Sequence, residues 1–352
     1  ATDAGREGEL IFRTVYYMAG CTKTMKRLWI SSMEDEAIRK GFADLRPGRE
    51  YDGLHQSALC RARADWLVGI NATRLFSVLY HRTLNVGRVM TPTLALIVQR
   101  EAEIGAFRPE AFYTVNLRCG DFAAVSEKFK EKAEADALAA ACAGQPVTVK
   151  AVKRTEKTEK APLLYDLTAL QREANRTLGY TAQQTLDYLQ ALYEKKLCTY
   201  PRTDSRFLTD DLEPSVPELV TVAAAICETD APEGVNARQV CDSRKVSDHH
   251  AILPTASAGK ADTSVLPLGE REILRLVAGQ LLRAGSDAHR YAETAVTLEC
   301  GGALFTVKGR TTLVPGWKQY LAQEKQDAAL PELSEGQVLD CAEAAVKEGK
   351  TT

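Results

Sequence analysis

The sequence predicts a multidomain protein of mixed α/β and α+β character, and three observations predict it. The chain has 352 residues, whereas a single hydrophobic core stops growing near roughly 250 to 300 residues. Helical and strand-like periodicities fall in separate blocks, the pattern of distinct layers or domains. Strand-like segments also stand on both sides of a long helical block, which makes that block an insert that is topologically free to swing.

Taken in order, Glu9 to Met18 reads as a helix and RLWISS, Arg27 to Ser32, as a short buried strand. A second helix, MEDEAIRKGF, starts behind Ser32 as its cap, so the front of the chain is an α/β unit. From Leu54 to Arg74 the pattern is helical, with Leu59, Ala62, Trp66 and Gly69 on one stripe. Arg61 and Asp65 stand at i, i+4 on that helix and share a face. Thr91 and Pro92 read as the cap and first residue of the helix TPTLALIVQREAEI. Between Ala111 and Val152, FYTVNLR and PVTVKAVKR alternate as strands around a short helix, and the charged KRTEKTEKAP reads as a connector. Two helices follow, LTALQREANRTLG and TAQQTLDYLQALYEKKL. The second opens on a capping box, Thr181 to Gln184, and lines up Leu186, Leu189, Tyr193 and Leu197. Helical VPELVTVAAAICET and LGEREILRLVAGQLL precede a strand-like tail, YAETAVTLECGGALFTVKGRTTLVPGW, with Gly-rich turns.

Composition narrows the function classes. With 45% hydrophobic and 26% charged residues the chain is ordinary, and no run approaches the roughly 18 apolar residues of a membrane span. No basic and then apolar leader opens it. It begins instead with ATDAGREGE and no initiator methionine, which reads as a fragment. The nine cysteines form no C-x-x-C pair, which fits reduced intracellular thiols and argues against a zinc module or a disulfide frame. A net charge of -2 gives no global attraction to nucleic acid, so a polyanion site has to be built locally.

Three stretches could build one. In TDAGREGE, Asp3, Glu7 and Glu9 surround Arg6 where the chain enters a helix. Carboxylates there suit Mg²⁺, which takes oxygen ligands and keeps waters for phosphate, although the helix dipole alone also favours acids at a helix start. In CTYPRTDSR, Cys198 to Arg206, Tyr200 is either a packed aromatic beside the Pro201 turn or a nucleophile. Ionising a tyrosine at pH 7 costs about 4 kcal/mol, and Arg202 offers the guanidinium fork that suits a phosphate. Attack on phosphorus would store the bond as a phosphotyrosyl ester. SDHHAILPT, Ser247 to Thr255, holds two of the five histidines, able to donate to a phosphate or move a proton, though such a stretch is commonly a structural loop. Arg88, in GRVMTP, precedes a helix N-terminus, a natural anion site.

In their order, TDAGREGE, RARADWLVG, NVGRVMTPTL, LQREANRTLGYTAQQTLDYLQALYEKKLCTYPRTDS and DHHAILPT resemble type IA DNA topoisomerases, and YPRTDS with HHAILPT resembles the bacterial topoisomerase III branch. The resemblance runs through nearly the whole chain. It implies a toroidal enzyme with a partial Toprim α/β domain (1–50), the first part of a helical base domain (51–108), a β-rich arch domain (109–160 and 289–352) and an inserted helical domain carrying the tyrosine (161–288). It implies Tyr200 as the nucleophile that becomes 5′-phosphotyrosyl, Arg202 as the arginine that positions the scissile phosphate, and His249 as the family histidine. Asp3 and Glu7 match the first and third acids of the Toprim D-x-D-x-E, the implied Mg²⁺ ligands, while Gly5 stands where the family usually has the middle aspartate. Arg6, Arg61, Asp65, Gly87 and Arg88 fall on positions that hold the DNA strand, with Thr203, Asp204 and Ser205 beside the tyrosine. The family's preceding Toprim strand, with a catalytic glutamate and a lysine, is expected upstream of residue 1, and the end of the base domain beyond Thr352.

The implied activity is ATP-independent cleavage of one DNA strand, strand passage and religation, relaxing negative supercoils or decatenating DNA. The absence of a G-x-x-x-x-G-K-[ST] loop agrees with that. The implied setting is a monomer in the bacterial cytoplasm at the nucleoid, acting on single-stranded segments of duplex DNA with a helicase as partner and no membrane. Two other readings stay open. A Toprim nuclease or primase needs the acids but no tyrosine domain, and a catalytically inactive fragment would hold single-stranded DNA through basic and aromatic contacts.

Overall fold

The computed structural model describes residues 2, 4–30, 35–321, 329–340 and 343–352. The chain divides into two compact units, one of Ala1–Ala106, Leu163–Ala231 and Ala237–Leu281, the other of Phe107–Pro162, Pro232–Asn236 and Leu282–Thr352.

The first unit opens with α1, Arg6–Met18. Its inner face is charged. Arg13 donates to Glu9 at 2.7 Å, to Asp52 at 2.5 Å and to the Gly48 carbonyl at 2.7 Å, and Arg27 pairs with the same Glu9 at 2.9 Å. Glu9 and Arg13 are only 2% and 3% exposed, and charges so buried hold only when each is paired. Next, β1 (Lys26–Arg27) and β2 (Arg46–Pro47) pair antiparallel, with α2 (Asp35–Ala43) between them. The strand expected from Arg27 to Ser32 is therefore cut to its first residue. Trp29 is exposed and stacks on Tyr51 at 5.2 Å, and Ser31 and Ser32, the expected cap included, lie outside the described residues.

Two long helices follow, α3 (Asp52–Leu79) and α4 (Met90–Ala106). Of the stripe read on α3, Leu59 and Gly69 are half-buried and Ala62 and Trp66 exposed, Trp66 at 64%, while the buried residues are His55 and Ala58. Thr91, expected as the cap of α4, sits inside its first turn, where its hydroxyl accepts from the Gly87 N–H at 3.0 Å. The chain then forms β3 (Ala111–Cys119), β4 (Phe122–Val125), α5 (Lys132–Cys142) and β5 (Pro146–Glu159).

Back in the first unit, α6 (Leu167–Leu178) is capped by Asp166, which accepts from the Ala169 N–H at 2.6 Å. It ends at Gly179 with φ 72°, the left-handed residue that glycine adopts without a Cβ penalty. α7 (Ala182–Glu194) carries both bonds of the expected capping box. Its buried residues are Thr185, Leu189 and Leu192; of the expected stripe Leu189 and Leu197 are buried, while Leu192 packs where Tyr193 was expected. With α8 (Val216–Cys227) and α9 (Leu268–Gly285), these helices surround Leu170, Leu208, Ile252, Leu253 and Ile273, each 1% exposed or less.

The second unit is completed by β6 (His289–Cys300), β7 (Ala303–Val314), β8 (Val338–Asp340) and β9 (Glu343–Lys350). The sheet order is β8-β5-β6-β7-β4-β3-β9, antiparallel at every step. Alternate residues such as Val115, Leu117, Val147, Val149, Val296 and Leu298 build its core, the period-two pattern of a half-buried sheet. β5 runs straight through the segment expected as a connector. There Lys157 meets Glu293 at 2.8 Å and Arg290 meets Glu156 at 3.2 Å across the ladder, pairs that favour strand pairing. Beyond Val149, which still bonds to Gly336 and Gln337, β5 pairs with β6 alone among the described strands, and charge suits such an edge. No helix of the described residues is long and apolar enough to cross a membrane, and the described cysteines are free thiols.

Candidate active site

Tyr200 is delivered by the end of α7. The helix closes with Lys196 at φ 61° and the Leu197 N–H returning to the Leu192 carbonyl at 2.8 Å, and then Leu197 and Cys198 are buried. Burial pushes the Cys198 thiol up, which keeps it a neutral packing group. From here the chain is zipped to the histidine loop. Thr199 N–H donates to the Leu253 carbonyl at 2.9 Å, Leu253 N–H donates to Thr199 Oγ1 at 2.9 Å, and Thr255 N–H donates to the Leu197 carbonyl at 3.0 Å.

Side chains continue the zip. Thr203 Oγ1 donates to the His249 carbonyl at 2.8 Å, Ser205 Oγ to the Lys245 carbonyl at 2.9 Å, and Ser247 Oγ to Asp204 Oδ1 at 3.0 Å. Thr203 and Ser205, expected beside DNA, are thus buried, at 7% and 4% exposure, and their hydroxyls bind the two loops together. The outcome is a fixed aromatic group: the Tyr200 and His249 rings lie 4.2 Å apart at 36°, with Tyr193 edge-on to Tyr200 at 5.5 Å. His250 turns Nδ1 to the Ala251 carbonyl at 2.8 Å, and burial lowers its pKa. Arg202 is exposed.

A second group forms on α1, α3 and the segment before α4. Arg61 meets Glu7 at 2.7 Å and Asp65 at 3.9 Å, Arg88 meets Asp65 at 2.7 Å, and Arg6 lies 3.5 Å from Glu7. Arg88 reaches back to α3 because Leu84 and Val86 N–H donate to Ser77 Oγ and Thr73 Oγ1, each at 2.9 Å. Arg6, Glu7, Arg61, Asp65 and Arg88, all expected from the sequence, therefore form one ladder of alternating charge, with Gly87 at its end. Every member is partly open to solvent. Exposed pairs contribute only about 0–1 kcal/mol, so the arginines can exchange acids for phosphate oxygens at small cost. Glu9, by contrast, is spent inside the Arg13 network.

Asp3 lies outside the described residues, and among the described residues no three His, Cys, Asp or Glu side chains are grouped to hold a metal. Of the two expected ligands the structure describes Glu7, whose Oε1 is held by Arg61 and Arg6, and Mg²⁺ binds through one or two carboxylates and completes its shell with water and phosphate.

The two groups meet at Gly5, where a Cβ would lie 2.7 Å from Asp248 Oδ2. Sequence reasoning missed Asp248. The available signal was a glycine at a position whose backbone, at φ -165°, calls for none.

Residues 49–352 match the sequence pattern of the family described as DNA topoisomerase. DNA topoisomerase 3 of Bacillus subtilis (strain 168) is 41% identical over 361 residues, covering 96% of this chain and 49% of that protein. DNA topoisomerase 3 of Bacillus licheniformis is 40% identical over 372 residues, covering 100% and 51%. The chain spans about half the length of these curated relatives. The solved structure of full-length topoisomerase I from Thermotoga maritima superposes with a TM-score of 0.79 at 24% identity, over 99% of this chain and 59% of that one, a likeness of fold.

Proposed function

The chain belongs to the DNA topoisomerase family, as a type IA, topoisomerase III-like member, and on that premise we propose that it carries the strand-cutting tyrosine of such an enzyme. Tyr200 Oη releases its proton to water and attacks a backbone phosphorus, the bond from phosphorus to the 3′ oxygen breaks, and a 5′-phosphotyrosyl ester forms. The leaving 3′ oxygen takes a proton from an acid that the resemblance puts upstream of residue 1. Arg202, exposed beside the tyrosine and in no ion pair among the described residues, offers its fork to the phosphate oxygens. His249, packed on the Tyr200 ring, lies next to the same phosphate. One ester replaces another, so religation by the freed 3′ hydroxyl needs no nucleotide.

The ladder of Arg6, Glu7, Arg61, Asp65 and Arg88 holds the strand by its phosphates. Bound through Glu7, with Asp3 as the second ligand the resemblance implies, Mg²⁺ would supply positive charge for phosphate oxygens. The toroid of a Toprim domain, a helical base, a β-rich arch and an inserted tyrosine domain is part of this reading, and what supports it is family membership and the separate seven-stranded unit. So is a cytoplasmic monomer working on single-stranded segments with a helicase.

The observation that carries the proposal is the 4.2 Å pairing of Tyr200 with His249, which two motifs far apart in sequence bring about. The test is a single-stranded oligonucleotide incubated with Mg²⁺ and the chain extended by the upstream segment that carries that acid, then denatured. A covalent protein–DNA adduct is expected, and none with Tyr200→Phe. An adduct that survives that change sinks the assignment. Binding without any adduct from the extended chain gives the site to strand holding alone.

A further inference from the structure

Gly5 caps α1 and is buried. Its φ of -165° and ψ of 178° are extended backbone that any residue adopts, so conformation does not explain the missing side chain. Space does. A Cβ on Gly5 would stand 2.7, 2.9 and 3.0 Å from Oδ2, Cγ and Oδ1 of Asp248, so the whole carboxylate is laid on the bare Cα.

The two sides of this contact each carry a functional group. On one side, Gly5 is followed by Arg6 and Glu7, the start of the charge ladder. On the other, Asp248 lies between Ser247, bonded to Asp204, and His249, bonded through its carbonyl to Thr203 and stacked on Tyr200. The loop holding Asp248 is therefore tied to the segment that carries Tyr200. A carboxylate at a helix N-terminus is also favoured by the helix dipole.

We propose that Asp248 is a positioning residue: seated on Gly5, it registers the Tyr200–His249 pair against the end of α1 that bears Arg6 and Glu7, and this seat breaks when the tyrosine loop leaves α1. The meaning of the inference rests on Tyr200 as nucleophile, but its first test does not. Hydrogen exchange by mass spectrometry compares the chain with Asp248→Ala, Gly5→Ala and the double variant. Either single change should speed exchange both in the first turn of α1 and in residues 244–252. Because both break one contact, the double variant should be no faster than the quicker single. Exchange that rises only on the substituted side, or effects that add, overturns the seat.

The second readout is the adduct assay with the single-stranded oligonucleotide. Asp248→Ala should slow adduct formation at saturating oligonucleotide by about tenfold to a hundredfold, the cost of a small misplacement, with Kd unchanged. An unchanged rate, or a change in Kd alone, overturns the positioning role. If the extended chain with Tyr200 intact forms no adduct, the proposed cleavage fails while the exchange experiment still decides the contact.

Discussion

The α3–α4 segment and the segment from Leu163 to Leu281 are both helical, yet they keep their apolar residues in opposite places. α4 buries no residue, and its Leu94, Leu96, Ile97 and Val98 are 57%, 68%, 54% and 59% exposed. In the other segment Leu170, Leu189, Leu192 and Leu208 are fully buried. A helix with apolar residues all round is built to be covered on several sides, whereas α6 and α7 show the one-sided stripe of a helix packed on a single core. What orders α1, α3 and the segment before α4 is polar: the Arg13 network, the charge ladder, and Thr73 and Ser77 holding that segment. The two segments should thus fail through different residue types.

Arg13→Ala breaks the comparison most sharply. It leaves Glu9 buried with Arg27 as its remaining partner among the described residues and strips Asp52 and the Gly48 carbonyl of a donor. Breaking a buried pair from one side costs about 3–5 kcal/mol. Equilibrium unfolding in urea should show a loss of that size, and a loss below about 1 kcal/mol would mean the network is as weak as a surface pair.

Leu189→Ala comes next, at about 2–5 kcal/mol for a cavity in a packed core. Its control is Leu96→Ala in α4, an exposed site where substitutions stay within about 0.5 kcal/mol. Equal losses for the two leucines in the same unfolding experiment would show that α4 is covered in solution and the contrast between the segments is false.

The sequence exposes these features unevenly, for physical reasons. The capping box at Thr181 and Gln184 was legible because both partners lie within one turn. The ladder was half legible: Arg61 and Asp65 share a face by helix geometry, but Arg88 reaches Asp65 only through bonds to Thr73 and Ser77. The inner face of α7 was misjudged because a stripe through Tyr193 and one through Leu192 differ by a single residue. β5 was cut short because an edge strand carrying alternating charges has the composition of a linker. Asp248 on Gly5 left only a missing side chain in the sequence, a contact between segments far apart in the chain.

The smallest expected effect concerns His250, in the well-packed segment. Burial holds its pKa below the ordinary 6.5, so as pH falls through 6.5 the unfolded chain takes up a proton that the folded chain refuses. Stability is therefore complete above that pH and declines below it, until the folded histidine is protonated in turn. Denaturant midpoints at pH 7, 6 and 5 should fall for the chain and fall less for His250→Gln. Parallel profiles would assign the acid sensitivity elsewhere and place His250 with the exposed side chains of α4, not with the core that Leu189 tests.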